Sequence, residues 1–218
     1  MKKIISTILL TAFCTFNFFA QITTIKEEYA IYAAVLENIY AENFKHNEYK
    51  TSFVISENTI KSDFVPLGFI KPKSVLDYAN DKVQSRLENL LTDFRERNEY
   101  STNLEKQFPT KYQYNLITKD EIEYLLEQGK KEYKETLKKC KCLFFDGGFA
   151  FQPLYKKYPN SYGYYNFSRI GFGSDRTVAL VFANKVSGDQ GSATFYILEK
   201  MNDKWMVSEK IFAGSWIY

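Results

Sequence analysis

Few side chains in this sequence combine the right chemistry with the right spacing to do work on a substrate, and the thiols come first. Cys140 and Cys142 stand one residue apart in Lys138-Lys139-Cys140-Lys141-Cys142. Neighbouring cations favour thiolates, and a strained disulfide at that spacing would be oxidising. Geometry argues against one. Residues two apart do not face each other on a helix. On a strand they lie roughly 6.6 Å apart, beyond the roughly 3.5–4.5 Å between Cβ atoms that a bridge requires. No C-x-x-C motif surrounds the pair, so no disulfide and two ordinary thiols are expected.

His46 is the one histidine, in Glu42-Asn43-Phe44-Lys45-His46-Asn47-Glu48. Every Ser-His or Cys-His mechanism would have to use it. Zinc sites built on two histidines, or on four cysteines and histidines, are closed by count. Neither a metal nor a cofactor is expected, and polar neighbours make His46 a solvated loop residue. Carboxylate chemistry stays open, because 26 acidic residues could supply a pair of the glycosidase kind. Which two would approach is not written in the sequence.

Two further groups are candidate ligand contacts. Ser168 and Arg169 interrupt the apolar run Tyr164 to Phe172. An inward-facing Arg169 would need a carboxylate or a ligand anion to offset its desolvation; the plain alternative is an arginine in water. Ser168 has no G-x-S-x-G elbow and is not expected to be a nucleophile. Tyr155, Tyr158, Tyr162, Tyr164, Tyr165 and Trp216 are the candidates for an aromatic platform that complements the apolar faces of a glycan. Half-buried tyrosines at strand ends would explain them as well. Of these, Ser168, Arg169, Tyr155, Tyr162 and Tyr165 are the residues the sequence singles out for ligand binding.

The elements that must position them begin behind an export signal. Lys2 and Lys3 precede an apolar run that reaches Ala20, the pattern of a cleavable signal peptide over residues 1–20. Ser6, Thr7, Thr11, Thr15 and Asn17 break the run short of the ~20 apolar residues that span a bilayer, so no membrane anchor is expected after cleavage. Lipidation at Cys14 is disfavoured by the bulky Phe13 before it. Removing Lys2 and Lys3 lowers the net charge from +3 to +1, which leaves no electrostatic footprint for nucleic acid. Residues 21–218 suit one domain of ordinary size. The 19 Phe and 17 Tyr are explained by AT-rich codon usage and carry little functional weight.

Thr24 and Glu27 form a capping box, and Tyr29, Tyr32, Leu36 and Ile39 recur at helical spacing behind it. Thr51 to Ile55 reads as a buried strand. Ser74 can cap a second helix with Leu76, Val83, Leu87, Leu90 and Phe94 on its buried stripe, and Arg95 and Arg97 as solvated charges in its last turn. Lys111 to Ile117 alternates as a strand. Thr118 with Glu121 then opens a third helix, in which Gly129 is either an end or a division. From Tyr164 the period turns to two. Tyr164–Phe172, Thr177–Ala183, Ser192–Glu199 and Lys204–Phe212 are the expected strands of a meander, with Thr177–Ala183 apolar on both faces as its centre. The fold class is α+β: N-terminal helices packed on a C-terminal antiparallel β-meander.

The ordered set Ile117-Thr118-Lys119-Asp120-Glu121-Ile122-Glu123, Leu154-Tyr155-Lys156-Lys157-Tyr158-Pro159-Asn160-Ser161, Phe167-Ser168-Arg169-Ile170-Gly171-Phe172, Ala179-Leu180-Val181, Tyr196-Ile197-Leu198-Glu199-Lys200 and Lys204-Trp205 resembles a family of uncharacterised exported bacterial proteins. The resemblance spans the C-terminal half and implies export and architecture, with no catalytic residues. A looser likeness is to the cone-shaped NTF2-like fold, which implies a pocket between helices and sheet. Together these features lead to the expectation of a periplasmic or extracellular, non-enzymatic domain binding a small molecule, an envelope glycan or an envelope protein. The rival is a polymer hydrolase working through paired carboxylates, signalled by two carboxylates in one pocket with one pKa raised.

Overall fold

A computed structural model describes residues 25–42, 52–61, 81–140, 150–187 and 190–217. The expected signal segment, Thr24, His46, Ser74, Leu76 and Cys142 lie outside the described residues, as do the side chains of Val83, Leu87, Cys140 and Tyr162. In chain order the elements are α1 (25–42), β1 (Ser52–Ser56), α2 (Asp81–Arg97), β2 (Gln113–Ile117), α3 (Lys119–Cys140) and α4 (Gln152–Lys157). Then come β3 (Ser161–Phe167), β4 (Gly171–Phe172), β5 (Val178–Ser187), β6 (Gln190–Met201) and β7 (Lys204–Ile217).

The fold is α+β, with helices first and an antiparallel ribbon at the C-terminal end. The sheet is larger than the expected meander: it runs β2-β1-β3-β5-β6-β7, with β4 continuing the β3 row along β5. β1 is inserted between β2 and β3 and is parallel to both. All five of its residues are buried, as a strand hydrogen-bonded on both sides and covered on both faces requires.

β5 is the centre of the antiparallel part. Its Val186–Ala183 end pairs with β3, its Leu180–Ala179 end with β4, and its whole length with β6. Alternation along it feeds two cores. Ala179, Val181 and Ala183 join the α1 side chains Ile31, Tyr32, Val35 and Leu36, while Leu180 and Phe182 join Leu90, Leu91 and Phe94 of α2. Helices therefore cover both faces of the sheet. A third core, of Val54, Ile117, Ile122, Leu125, Leu154, Tyr164 and Val186, seats α3 and α4 beside α2. Each fully buried side chain of this size contributes roughly 1.5–3 kcal/mol before conformational entropy is counted.

Local chemistry sets the ends. The Glu121 amide donates to Thr118 Oγ1 at 3.0 Å, which is the expected cap of α3. Gly129 neither ends nor divides that helix. It lies inside it, and a Cβ there would collide with the Ala150 carbonyl. β7 is an edge strand, and register shifts opposite Ala193/Thr194 and Ile197/Leu198 place bulges in its pairing with β6, a device that blunts an exposed edge. No described helix is long and apolar enough to cross a membrane.

Candidate functional site

The feature that builds the site is the break between β3 and β4. Ser168 still exchanges bonds with Phe182: its amide donates to the Phe182 carbonyl at 2.9 Å, and its hydroxyl accepts the Phe182 amide at 2.9 Å. The hydroxyl thus stands in for the Ser168 carbonyl, which turns away to accept the Tyr32 phenol at 2.8 Å. Arg169 leaves the ladder entirely. Its amide donates to Asn98 Oδ1 at 2.7 Å and its carbonyl accepts from Asn98 Nδ2 at 3.1 Å, so one buried side chain replaces the missing strand partner. Interruptions of this kind re-aim a side chain. Here the side chain is Arg169, whose Nη1 donates to the Arg97 carbonyl at the end of α2, at 3.1 Å.

A cleft of about 650 Å³ opens where the first turns of α1, the last turn of α2, the segment 102–107 and the β3–β4 break meet. That volume falls in the range of small-molecule sites. Ile25, Tyr29, Tyr32 and Leu104 give it an apolar wall, and its charged lining is Lys26, Arg97, Arg169, Glu28 and Glu105. Three cations against two carboxylates leave a surplus of one positive charge among these side chains.

The two arginines differ in how they are satisfied. Arg97 is paired twice: Nη1 meets Glu28 Oε1 at 2.9 Å, Nε meets Asp93 Oδ2 at 2.9 Å, and the guanidinium lies over the Phe172 ring. It is not the solvated charge expected from sequence. Asp93 also accepts the Phe172 amide at 2.7 Å, which ties β4 to α2. Arg169 is half-buried, and among the described residues it has no ion-pair partner. One of its five N–H donors is used by the Arg97 carbonyl.

Burial pushes the Glu28 carboxyl above its usual range, and this outweighs the opposing pull of Arg97, Arg169 and Arg176. Burial lifts Tyr29 and raises Tyr32 further, so both phenols keep their protons. Tyr29 accepts the Glu105 amide at 2.6 Å. Next to the cleft, burial alone would raise Glu27, but Lys200 and Arg176 hydrogen-bond it at 2.9 and 3.0 Å and hold it below its usual value.

The other sequence candidates are scattered. Ser168 is fully buried and its hydroxyl is committed to the sheet. Tyr165 is 1% exposed in the core under α1, whereas Tyr155, Tyr158 and Trp216 pack beneath α3 and α4 on the opposite face. Among the described side chains, Tyr165 is thus separated from Tyr155, Tyr158, Tyr164 and Trp216, which do not form one platform with it, and Trp216 lies against Gly191. Of the four singled-out residues whose side chains are described, Ser168, Arg169, Tyr155 and Tyr165, Arg169 alone lines the cleft. Glu28, Arg97 and Tyr29 were missed as site residues, because helical spacing explains two of them as a helix face and the third as a terminal charge. Among the described residues no group of three or more His, Cys, Asp or Glu is placed to hold a metal ion. No protein-family model, curated protein or solved structure matches this chain.

Proposed function

We propose that the protein is an exported binding domain whose cleft takes a small organic monoanion, a carboxylate with an apolar or aromatic body. The observation that carries this reading is Arg169, a half-buried guanidinium with spare donors and no ion-pair partner among the described residues, held at the cleft by Asn98 and the Arg97 carbonyl. Desolvating such a group is costly unless an anion meets it. The planar fork of arginine matches a carboxylate with two parallel hydrogen bonds. One guanidinium without an ion-pair partner suits a monoanion better than a dianion, and Tyr29, Tyr32 and Leu104 suit an apolar body. Export rests on the Lys2-Lys3 and apolar pattern of residues 1–20.

The test is a thermal-shift series pairing benzoate and aliphatic monocarboxylates with their neutral amides. A ligand that binds the native state raises its melting temperature by mass action. The acids should raise it in the unmodified protein and leave Arg169→Gln unmoved. Equal shifts from the amides, or an undiminished response in Arg169→Gln, would refute the reading.

A second reading is favoured by one observation: Glu28 and Glu105 line the same cleft and Glu28 is raised, the arrangement a carboxylate hydrolase uses. Binding ranks first because Glu28 is clamped by Arg97 and Glu105 Oε2 is taken by Gln107 Nε2. Hydrolysis of envelope glycans that disappears in Glu28→Gln would reverse that order.

A further inference from the structure

The cleft already contains a carboxylate on an arginine. Glu28 Oε1 sits 2.9 Å from Arg97 Nη1, with its side chain 19% exposed. Two contacts make that occupancy exchangeable. Asp93 Oδ2 holds Arg97 Nε at 2.9 Å, so the guanidinium keeps its place and a counter-charge when Nη1 is vacated. Arg169 Nη1 is bonded to the Arg97 carbonyl, so an anion seated on Arg169 lies beside the Glu28–Arg97 pair.

We infer that Glu28 is a displaceable internal occupant of the cleft: a ligand carboxylate seated on Arg169 and Arg97 takes its place, and Glu28 takes up one proton from solvent as it does so. This rests on the reading of the cleft as a monocarboxylate site. The physical reason is that two carboxylates sharing one poorly hydrated site cannot both stay ionised at low cost. The charged and titratable groups around Glu28 come from every packed element. They are Arg97 and Asp93 from α2, Arg169 from the β3–β4 break, Arg176 from the β4–β5 turn, Glu105 from the segment before β2, and Lys26, Glu27, Tyr29 and Tyr32 from α1. Asp93 keeps its bonds to Arg97 and Phe172, and Glu27 keeps Lys200 and Arg176. Glu28, by contrast, is held through one ion pair, to Arg97 Nη1.

The sign follows from linkage. An incoming anion favours the protonated form of Glu28, so the bound state holds more protons than the free state above the free Glu28 pKa. Affinity is then full at low pH and weakens as pH rises through the free value toward the bound one, by at most about tenfold per pH unit for one proton. Burial already lifts the free carboxyl above its ordinary range, which places the window on the neutral side of an ordinary glutamate.

The experiment titrates the full mature chain with benzoate by NMR and calorimetry at several pH values, all above the range in which benzoate itself protonates. Benzoate should bind several-fold more tightly at the acid end. Calorimetry in two buffers of different ionisation enthalpy should report uptake of close to one proton, and Glu28→Gln should bind tightly with no pH dependence over the same interval. Benzoate binding that needs Arg169 but takes up no proton, or keeps its pH slope in Glu28→Gln, overturns the exchange and leaves the carboxylate site standing. Absence of benzoate binding, or binding insensitive to Arg169→Gln, overturns both. The buffer-pair measurement on the unmodified protein decides the matter even if the variant folds poorly.

Discussion

The carboxamide of Asn98 takes both backbone bonds of Arg169, accepting its amide at 2.7 Å and donating to its carbonyl at 3.1 Å, while the same Nδ2 also reaches the Phe94 carbonyl at 2.7 Å. A side chain on a helix end thereby acts as a strand. Asn98→Ala leaves the Arg169 amide without its acceptor, at a cost of about 1–3 kcal/mol, whereas the Arg169 carbonyl keeps the Ser168 hydroxyl and the Phe94 carbonyl keeps the Asn98 amide. Urea unfolding should show a loss of about 1–3 kcal/mol by that reckoning, and carboxylate affinity should fall with it because the Arg169 backbone loses its Asn98 bonds. Asn98→Asp should lose more than Asn98→Ala, because it buries a carboxylate against the Phe94 and Arg169 carbonyls to which the amide donated.

Ser168→Ala is expected to behave differently. It removes the hydroxyl that accepts the Phe182 amide, which costs about 1–3 kcal/mol of stability through that unpaired donor. Ser168 is fully buried and touches no ligand in this account. Its hydroxyl also donates to the Arg169 carbonyl, which Asn98 continues to hold in the variant, so chemical denaturation should register the change while benzoate affinity falls less than in Asn98→Ala.

Gly171 is small for a steric reason. A Cβ there would stand 2.5 Å from Phe94 Cβ and 2.7 Å from its Cα, which is backbone that cannot yield without moving α2. Gly171→Ala should lose at least the 1–3 kcal/mol typical of overpacking, despite alanine's lower conformational entropy in the unfolded chain. A melting temperature equal to or above that of the unmodified protein would show that α2 does not press on β4.

Glu27 gives a pH signature with the opposite sign to Glu28. Its folded-state value is lowered by Lys200 and Arg176 against the effect of burial, so its contribution is full above the ordinary value of 4.5 and fades as pH falls through the lower folded value. Glu27→Gln should destabilise the protein near neutrality by about 0.5–1 kcal/mol, the scale of partly exposed ion pairs. The gap between the two proteins in melting temperature should close in acid below pH 4.5. A gap that stays constant with pH would mean that the ion pairs contribute nothing.

Much of this architecture was legible because it is local. Tyr29, Tyr32, Leu36 and Ile39 are all buried along one helix face, Thr118 caps where a capping box says it should, and β5 is sealed on both faces as its unbroken apolar run implies. What was not legible depends on distant partners. Parallel pairing of β1 with β2 and β3 has no turn to announce it. The placement of α1 and α2 on opposite faces depends on connections rather than on periodicity. Ser168-Arg169 was visible as a polar interruption, but its meaning came from Asn98, 71 residues away. Glu28 was invisible as a site residue, since its partner Arg97 is 69 residues distant.

The most direct test of the central claim is amide NMR mapping of benzoate against benzamide on the unmodified protein, Arg169→Lys and Arg169→Gln. Benzoate should perturb amides of the first turns of α1, the end of α2, the segment 102–107 and the β3–β4 break. Arg169→Lys, which keeps the charge and loses the fork, should weaken it about tenfold, the effect of losing ~1.4 kcal/mol; Arg169→Gln should abolish it. Perturbations centred elsewhere, or benzamide binding as tightly as benzoate, would contradict the account.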